Sequence, residues 1–566
     1  MSEVIIRDKS GTFVGARMGR PEKAKLRKLT GSPHMLFPVG TEGDRLRSLQ
    51  ETLNKNRITA DFSIYFCGNC NKETIYPSCE LCLKTTQKRF FCKKCNLILE
   101  DNKCRQHGAI NPYKLMKIEI NHYFKSALQT LKISQTPALI KGVRGTSNKD
   151  HIPENLVKGI LRAIHEVYVN KDGTIRYDMT EMPMTHFKPK EIGTPINKLK
   201  ELGYTEDIYG NKLIHDDQLL EIKPQDILLP TCPESGDEGA DSVFFRVGNF
   251  VDDLLEYFYG LPRFYNFKKK EDLIGHLVIG LAPHTSAGIL ARVIGFIKTQ
   301  GVYAHFMWHA AQRRDCDGDE TCCMLLLEAL LNFSREYLPA HRGSTQDAPL
   351  VLSTKLIPSE VDEQILDVDL AWSYPLELYE SALQYKQPWE VKIERVADRL
   401  NTNRTYSGFG FTHSTEDINN SVRVSAYKYL ETMMDKVRGQ MDLAERIRAV
   451  NEHDVARLLI ERHFIRDIKG NLRQFSTQQF RCVKCNEKYR RPPLIGICTK
   501  CGNRLLFTVT EGSIVKYLEP SMELATKYNI PTYLKQSLEL TKMRIESTFG
   551  KDKEKQEGLV KWFGNA

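Results

Sequence analysis

No stretch of the 566-residue chain is apolar for the roughly 18 consecutive residues that a membrane span requires, and the N-terminus lacks the apolar core of a secretory signal. A cytoplasmic setting is therefore expected. In that setting cysteines serve as metal ligands before they serve as disulfides, and the chain has 15 of them. Charge of neither sign dominates: a formal net charge of +10 suits a polyanionic partner without requiring one. A hydrophobic content of 41% supports folded domains. The length exceeds what one core can hold, so about three to five domains are expected.

Eleven of the cysteines fall into a regular scheme. Cys67-x2-Cys70 is followed by Cys79-x2-Cys82, and Cys92-x2-Cys95 by Cys104-x2-His107, with eight residues between the half-sites in each case. Cys482-x2-Cys485 and Cys498-x2-Cys501 form a third set, with twelve residues between. A two-residue gap lets two ligands of one tight turn reach the same zinc ion, and a second turn completes the tetrahedron. Three structural Zn2+ sites are expected, closed because four protein ligands leave no open position. Lys84, Lys88, Arg89, Lys93 and Lys94 surround the first two and suit nucleic-acid contact. Cys232, Cys316, Cys322 and Cys323 stand outside the scheme and read as small buried side chains.

Residues 315–319 read Asp-Cys-Asp-Gly-Asp, so Asp315, Asp317 and Asp319 occupy alternate positions. In an extended or looping backbone alternate side chains share one side. Three carboxylates so close repel one another unless a cation neutralises them, and hard oxygen ligands favour Mg2+ or Mn2+. A calcium loop counted from Asp315 would need Gly and Glu at positions that hold Glu320 and Leu326, which excludes it. Arg313 and Arg314 precede the acids directly, and the run 324–331 (MLLLEALL) reads as a buried helix holding the loop. Divalent metal beside fixed positive charge is the arrangement that phosphoryl transfer requires.

Two terminal segments add to this. Arg17, Arg20, Lys23, Lys25 and Lys28 crowd a basic loop broken by Gly and Pro (GARMGRPEKAKLRK). At the other end, Gln556, Leu559, Trp562 and Phe563 follow the pattern Gln-x-x-aliphatic-x-x-aromatic-aromatic, which resembles the peptide that docks on sliding clamps. One helical turn would bring Leu559, Trp562 and Phe563 to one side.

Between the termini, residues 1–60 hold the basic loop and 61–110 the zinc pair, and 111–230 alternate helical and extended segments. Within the last, 155–169 reads as an amphipathic helix, 170–173 (NKDG) as a turn and 174–179 as extended. Residues 231–241 read as a boundary, 242–350 as the unit carrying the acidic loop, and 351–475 as a helical accessory region with DNA contacts. A zinc module at 476–510, a helical region at 511–550 and a flexible tail at 551–566 complete the chain.

With these features placed, the sequence resembles the large subunit of the archaeal family D DNA polymerase. The matching stretches are 309–314 (HAAQRR), 325–339 (LLLEALLNFSREYLP), 15–25 (GARMGRPEKAK), 282–288 (APHTSAG) and 172–179 (DGTIRYDM). The resemblance implies an α+β multidomain fold with a catalytic core of two double-psi β-barrels, the first formed from 1–60 and part of 111–230, the second from 242–350. It implies that Asp317 and Asp319 hold catalytic magnesium, and that Lys25 and Lys28 contact the phosphates of the incoming nucleotide, with Lys23 as an alternative. Arg17, Arg20, Arg313 and Arg314 become further DNA or nucleotide contacts. The family usually has Asn where this chain has Asp315, which stands either as a further metal ligand or as a residue that tunes the local field.

The function that follows is replicative, DNA-directed DNA synthesis by two-metal nucleotidyl transfer to a primer 3′ hydroxyl. The partners implied are primer-template DNA, dNTPs, a small exonuclease subunit, a sliding clamp, and a separately encoded N-terminal half of the large subunit, because the chain looks like the C-terminal half of a split or trimmed subunit. An RNA polymerase-like nucleotidyltransferase shares the acidic loop but has no use for a clamp peptide. A noncatalytic zinc-rich DNA-binding scaffold leaves Asp317 and Asp319 without purpose.

Overall fold

The computed structural model describes residues 31–234, 236, 238–316, 318–339, 343, 345–410, 417–420, 430–446, 450–482, 487–506, 509 and 511–549. The chain divides into two compact units, one of residues 24–425 and one joining 1–23 to 426–566.

Six strands of the larger unit close into a ring: β1 (Tyr177–Pro183), β2 (Asp226–Pro230), β3 (Leu277–Leu281), β4 (Ala287–Ile297), β5 (Gly301–Ala304) and β6 (Glu320–Leu325). Around the ring the order is β2-β5-β1-β6-β3-β4, and β4 returns to β2. The β1–β5 and β2–β4 pairs are parallel and the other four antiparallel. A seventh strand, β7 (Val351–Ser353), adds to β4 in parallel. Ring closure pairs both edges of every stave, which is how a barrel removes the exposed edge of an open sheet. Strands β1 and β2 come from the chain before residues 231–241 and the rest from after, so one barrel draws on both sides of that segment.

The strands are apolar on both faces because both faces are covered. Ile227, Leu229, Val278, Cys323 and Leu325 enter the principal core, whereas their neighbours Leu228, Ile279, Cys322 and Met324 pack into two smaller clusters. This period of two decides one local difference from expectation. Met324 and Leu325 belong to strand β6, and the helix begins only at Leu326 (Leu326–Asn332), although the run reads as helical throughout. Pairing of Met324 with Ile279 and of Leu325 with Val278 on β3 outweighs the helix propensity of these two residues.

The approach to β1 follows the sequence in part: the helix ends at Ile164, five residues short of the 155–169 pattern. Asn155 caps the helix Leu156–Ile164 by accepting from the Val157 N–H, and the turn closes with Gly173 N–H donating to Asn170 O at 3.0 Å. Gly173 has φ +93° and lies so near the Asn332 carbonyl that a Cβ would sit 2.3 Å from its oxygen. Regular strand pairing starts at Tyr177, three residues later than the extended pattern in the sequence. Upstream, Ile58–Ser63 pairs antiparallel with Tyr113–Ile118, and two cysteine modules occupy the excursion between them.

The smaller unit is helical. Glu452–Leu458 and Ile465–Thr477 run on through a π-helical segment, Leu459–Phe464. They pack with Met433–Arg446, Leu518–Lys527 and Thr532–Phe549 around Ile460, Phe464, Leu524 and Leu538. A small three-stranded sheet at 480–506 carries the third cysteine module.

Candidate metal centre

Three carboxylates meet at one end of the barrel. Glu181 is the third inward residue of β1, after Tyr177 and Met179, and its backbone N–H donates to Asp319 O at 2.9 Å, extending the β1–β6 ladder to the acidic loop. Ligand oxygens of Glu181, Asp315 and Asp319 lie within 4.8 Å of one another. The loop is a tight turn: Arg313, Cys316 and Gly318 have φ of 63°, 65° and 99°. Such a path folds Asp315 back over Asp319, which strict alternation along a strand would not require.

The walls fix the acids in place. Helix Phe306–Ala311 starts with the His305 side chain accepting from Met307 N–H, and Trp308 fills the space above Gly280, where an added Cβ would fall 2.3 Å from the indole ring. Thr321 donates to Gln312 Oε1 at 2.6 Å, tying the end of the helix to β6. Arg314 turns inward, with Nη1 3.4 Å from Asp319 Oδ2 and Nη2 donating to the Pro283 carbonyl. Arg313 is exposed.

The electrostatics favour a cation. Glu181 is fully buried, and neither of its oxygens has a hydrogen-bond partner among the described residues; Asp315 Oδ1 is in the same condition. Burial pushes the Glu181 carboxyl up to about 8, with the charge of Asp319 adding to the shift, while the Cys316 and Asp319 backbone and Arg314 offset it in part. His309 supplies no positive charge. Burial lowers it to about 4, and its Nε2 donates to the Met182 carbonyl at 3.1 Å, leaving a lone pair on Nδ1. Orphaned carboxylate oxygens next to neutral imidazole, with Asp315 and Asp319 open to solvent in part, fit a divalent metal held by oxygen ligands.

Of the residues expected at this site, Asp315 and Asp319 are brought together and Arg314 joins them; Asp317 lies outside the described residues, as do Arg17, Arg20, Lys23, Lys25 and Lys28. Glu181 was not anticipated. Its signal was a charged residue at an inward position of an alternating strand, two residues beyond the stretch 172–179.

The cysteine spacing is realised in space. The four ligand atoms of Cys67, Cys70, Cys79 and Cys82 cluster within 4.8 Å, as do those of Cys92, Cys95, Cys104 and His107, and those of Cys482, Cys498 and Cys501. Cys485 lies outside the described residues. Sulfur separations of 3.6 Å for Cys67–Cys82 and 3.7 Å for Cys95–Cys104, with all of these thiols free, are those of ligands around one ion. Backbone N–H groups of Lys84 and Gln106 pull the Cys82 and Cys104 thiols down to about 7 and about 6, so these ionise first, whereas the Cys82 thiol beside Cys70 and the burial of Cys95 push those two up to about 12 and about 11. Of the four remaining cysteines, Cys232, Cys322 and Cys323 are buried and Cys316 is half-buried. The clamp-like residues Gln556, Leu559, Trp562 and Phe563 fall outside the described residues.

Comparison with known proteins bears on what these sites serve. Residues 133–436 match the family described as DNA polymerase II large subunit DP2, catalytic domain, and residues 1–101 its central domain. The DNA polymerase II large subunit of Nanoarchaeum equitans is 48% identical over 598 residues, which cover 98% of this chain and 48% of that protein. The Archaeoglobus fulgidus protein of the same name is 48% identical (98% of this chain, 49% of the relative), and that of Pyrococcus furiosus 46% (97% and 44%). The chain thus spans about half the length of the curated relatives it matches.

Proposed function

Because the chain belongs to the family of the DNA polymerase II large subunit, we propose that it is the catalytic part of a DNA-directed DNA polymerase, adding deoxynucleotides to a primer 3′ hydroxyl in replication. The observation that carries this reading is the meeting of buried Glu181 with half-buried Asp315 and Asp319, where both Glu181 oxygens and Asp315 Oδ1 have no hydrogen-bond partner among the described residues. Asp317, which stands between the last two in sequence, completes the set. Magnesium, or manganese, when bound there supplies the charge that activates the hydroxyl and steadies the leaving pyrophosphate.

The chain's own residues do the positioning. Glu181 is held by β1 and joined through its backbone N–H to Asp319, the residue before β6, Arg314 fixes the Asp319 carboxylate, and Trp308 packs against Gly280 of β3. Lys25 and Lys28, or Lys23 in place of one of them, neutralise the nucleotide phosphates, and Arg17, Arg20 and Arg313 hold the DNA backbone without reading sequence. The ring of six strands is one double-psi barrel of two. The cysteine modules hold three structural zinc ions that stiffen small folds lacking cores of their own. A small exonuclease subunit, the other half of the large subunit and, through Gln556, Leu559, Trp562 and Phe563, a sliding clamp complete the assembly.

Primer extension by the reconstituted assembly tests this. Asp317→Asn and Asp319→Asn should each lower dNTP incorporation about a thousandfold or more, and Glu181→Gln at least tenfold. Undiminished incorporation by both aspartate variants would refute the assignment. Preference for NTPs over dNTPs would favour an RNA polymerase-like enzyme, and a wild type inactive with either would favour a scaffold.

A further inference from the structure

The helix Leu376–Leu383 (LELYESAL) presents its apolar side to solvent. Leu376 is 70%, Tyr379 58% and Leu383 82% exposed, and Trp389, just beyond, 75%. At 3.6 residues per turn the positions i, i+3 and i+7 form a single stripe. Leu378 and Ser381, the residues that turn toward the body of the unit, lie on the opposite side. Eight residues are too few for a helix to be stable in water on its own propensity, so packing of Leu378 and Ser381 on the body holds this one and leaves the stripe uncovered. Single exposed apolar side chains need no explanation, but a stripe continued by a tryptophan marks an interaction site.

The surrounding charge states what kind of partner fits. Residues 360–398 contain ten Asp and Glu against three Lys and Arg, in a chain whose net charge is +10. Glu380 flanks the stripe directly, one helical step from Tyr379, and Glu377 lies beyond it on the same side; both are exposed. Exposed tryptophan and tyrosine suit base stacking where the rim is basic. Here the rim is acidic and repels phosphate.

We propose that the segment 376–389 is a docking surface for a partner protein that presents an apolar ridge, such as one face of an amphipathic helix, flanked by lysine or arginine. The apolar stripe supplies affinity by burying Leu376, Tyr379, Leu383 and Trp389, and Glu377 and Glu380 select the basic rim. The surface is independent of the metal centre, so the proposal survives or fails apart from the polymerase reading.

The test uses the full chain and three defined probes followed by fluorescence anisotropy: a labelled Leu/Lys amphipathic helical peptide, its Leu/Glu counterpart, and a single-stranded oligothymidylate. The Leu/Lys peptide should bind at least tenfold more weakly to Leu376→Asp/Leu383→Asp than to wild type. Glu377→Lys/Glu380→Lys, which keeps the stripe, should lose the Leu/Lys peptide and gain the Leu/Glu one. Oligothymidylate binding should be the same for the wild type and the aspartate variant. Equal binding of the Leu/Lys peptide by wild type and both variants overturns the proposal. So does loss of oligothymidylate affinity in the aspartate variant, which would assign the surface to nucleic acid. Concentration-dependent dimerisation of the wild type that the aspartate substitutions abolish would overturn it too, by assigning the stripe to a second copy of the chain.

Discussion

His309 Nδ1 stands 3.3 Å from Glu181 Oε2, both side chains fully buried, and the imidazole has already committed its one N–H to the Met182 carbonyl. The Nδ1 lone pair therefore faces a carboxyl that burial keeps protonated up to about pH 8, and the neutral imidazole offers no positive charge to ionise it. Glu181→Gln should weaken Mn2+ binding at least tenfold in titration calorimetry, while leaving the metal-free melting temperature near neutral pH little changed, because the amide replaces a carboxyl that burial keeps protonated there. Unaltered Mn2+ affinity would show that Glu181 is not a ligand.

A second buried glutamate links stability to pH. Glu328, on the helix after β6, is pushed up to about 8 by burial, with Arg162 opposing, and its Oε1 accepts from the Ile175 N–H at 3.0 Å. The folded state keeps a proton that the unfolded chain releases above about pH 4.5, so this group's contribution to stability falls as pH rises between those values, by about 1.4 kcal/mol per unit. Glu328→Gln retains the acceptor and cannot ionise. Its melting temperature relative to wild type should rise steadily from pH 5 to pH 8; a constant difference would contradict the raised carboxyl.

Arg162 and Glu154 form a fully buried fork, with both nitrogen–oxygen distances 2.8 Å, and Arg162 also donates to the His34 and Gly173 carbonyls. Removing one partner strands the other. Glu154→Gln and Arg162→Met should each cost about 3–5 kcal/mol in denaturant unfolding, and the double variant less than the sum. Additivity would mean that the two charges do not depend on one another.

Metal analysis should find three zinc equivalents per chain, one for each cysteine cluster. Cys79→Ser and Cys498→Ser should each leave two, and chelation should open 65–109 to proteolysis before the barrel is cut. Three equivalents in either variant would show that the substituted cysteine is no ligand.

What the sequence disclosed divides by distance along the chain. The cysteine modules and the pair Asp315 and Asp319 were legible because their ligands lie within one or two turns of each other, where spacing alone fixes geometry. Glu181 was not, since only the closing of the ring brings β1 beside the acidic loop. Nor was the strand at Met324 and Leu325, whose conformation is set by pairing with β3 rather than by their own propensity. The stripe on 376–389 was missed for the opposite reason: an amphipathic pattern reads the same whether its apolar side meets the body of the protein or the solvent.

The hydrogen bond from Glu181 N–H to Asp319 O joins residues 138 positions apart. A contact of such sequence separation has to overcome loop-closure entropy before it stabilises anything. The proposed metal centre would accordingly exist only where the ring has closed, since the closed ring is what carries Glu181 to the acidic loop.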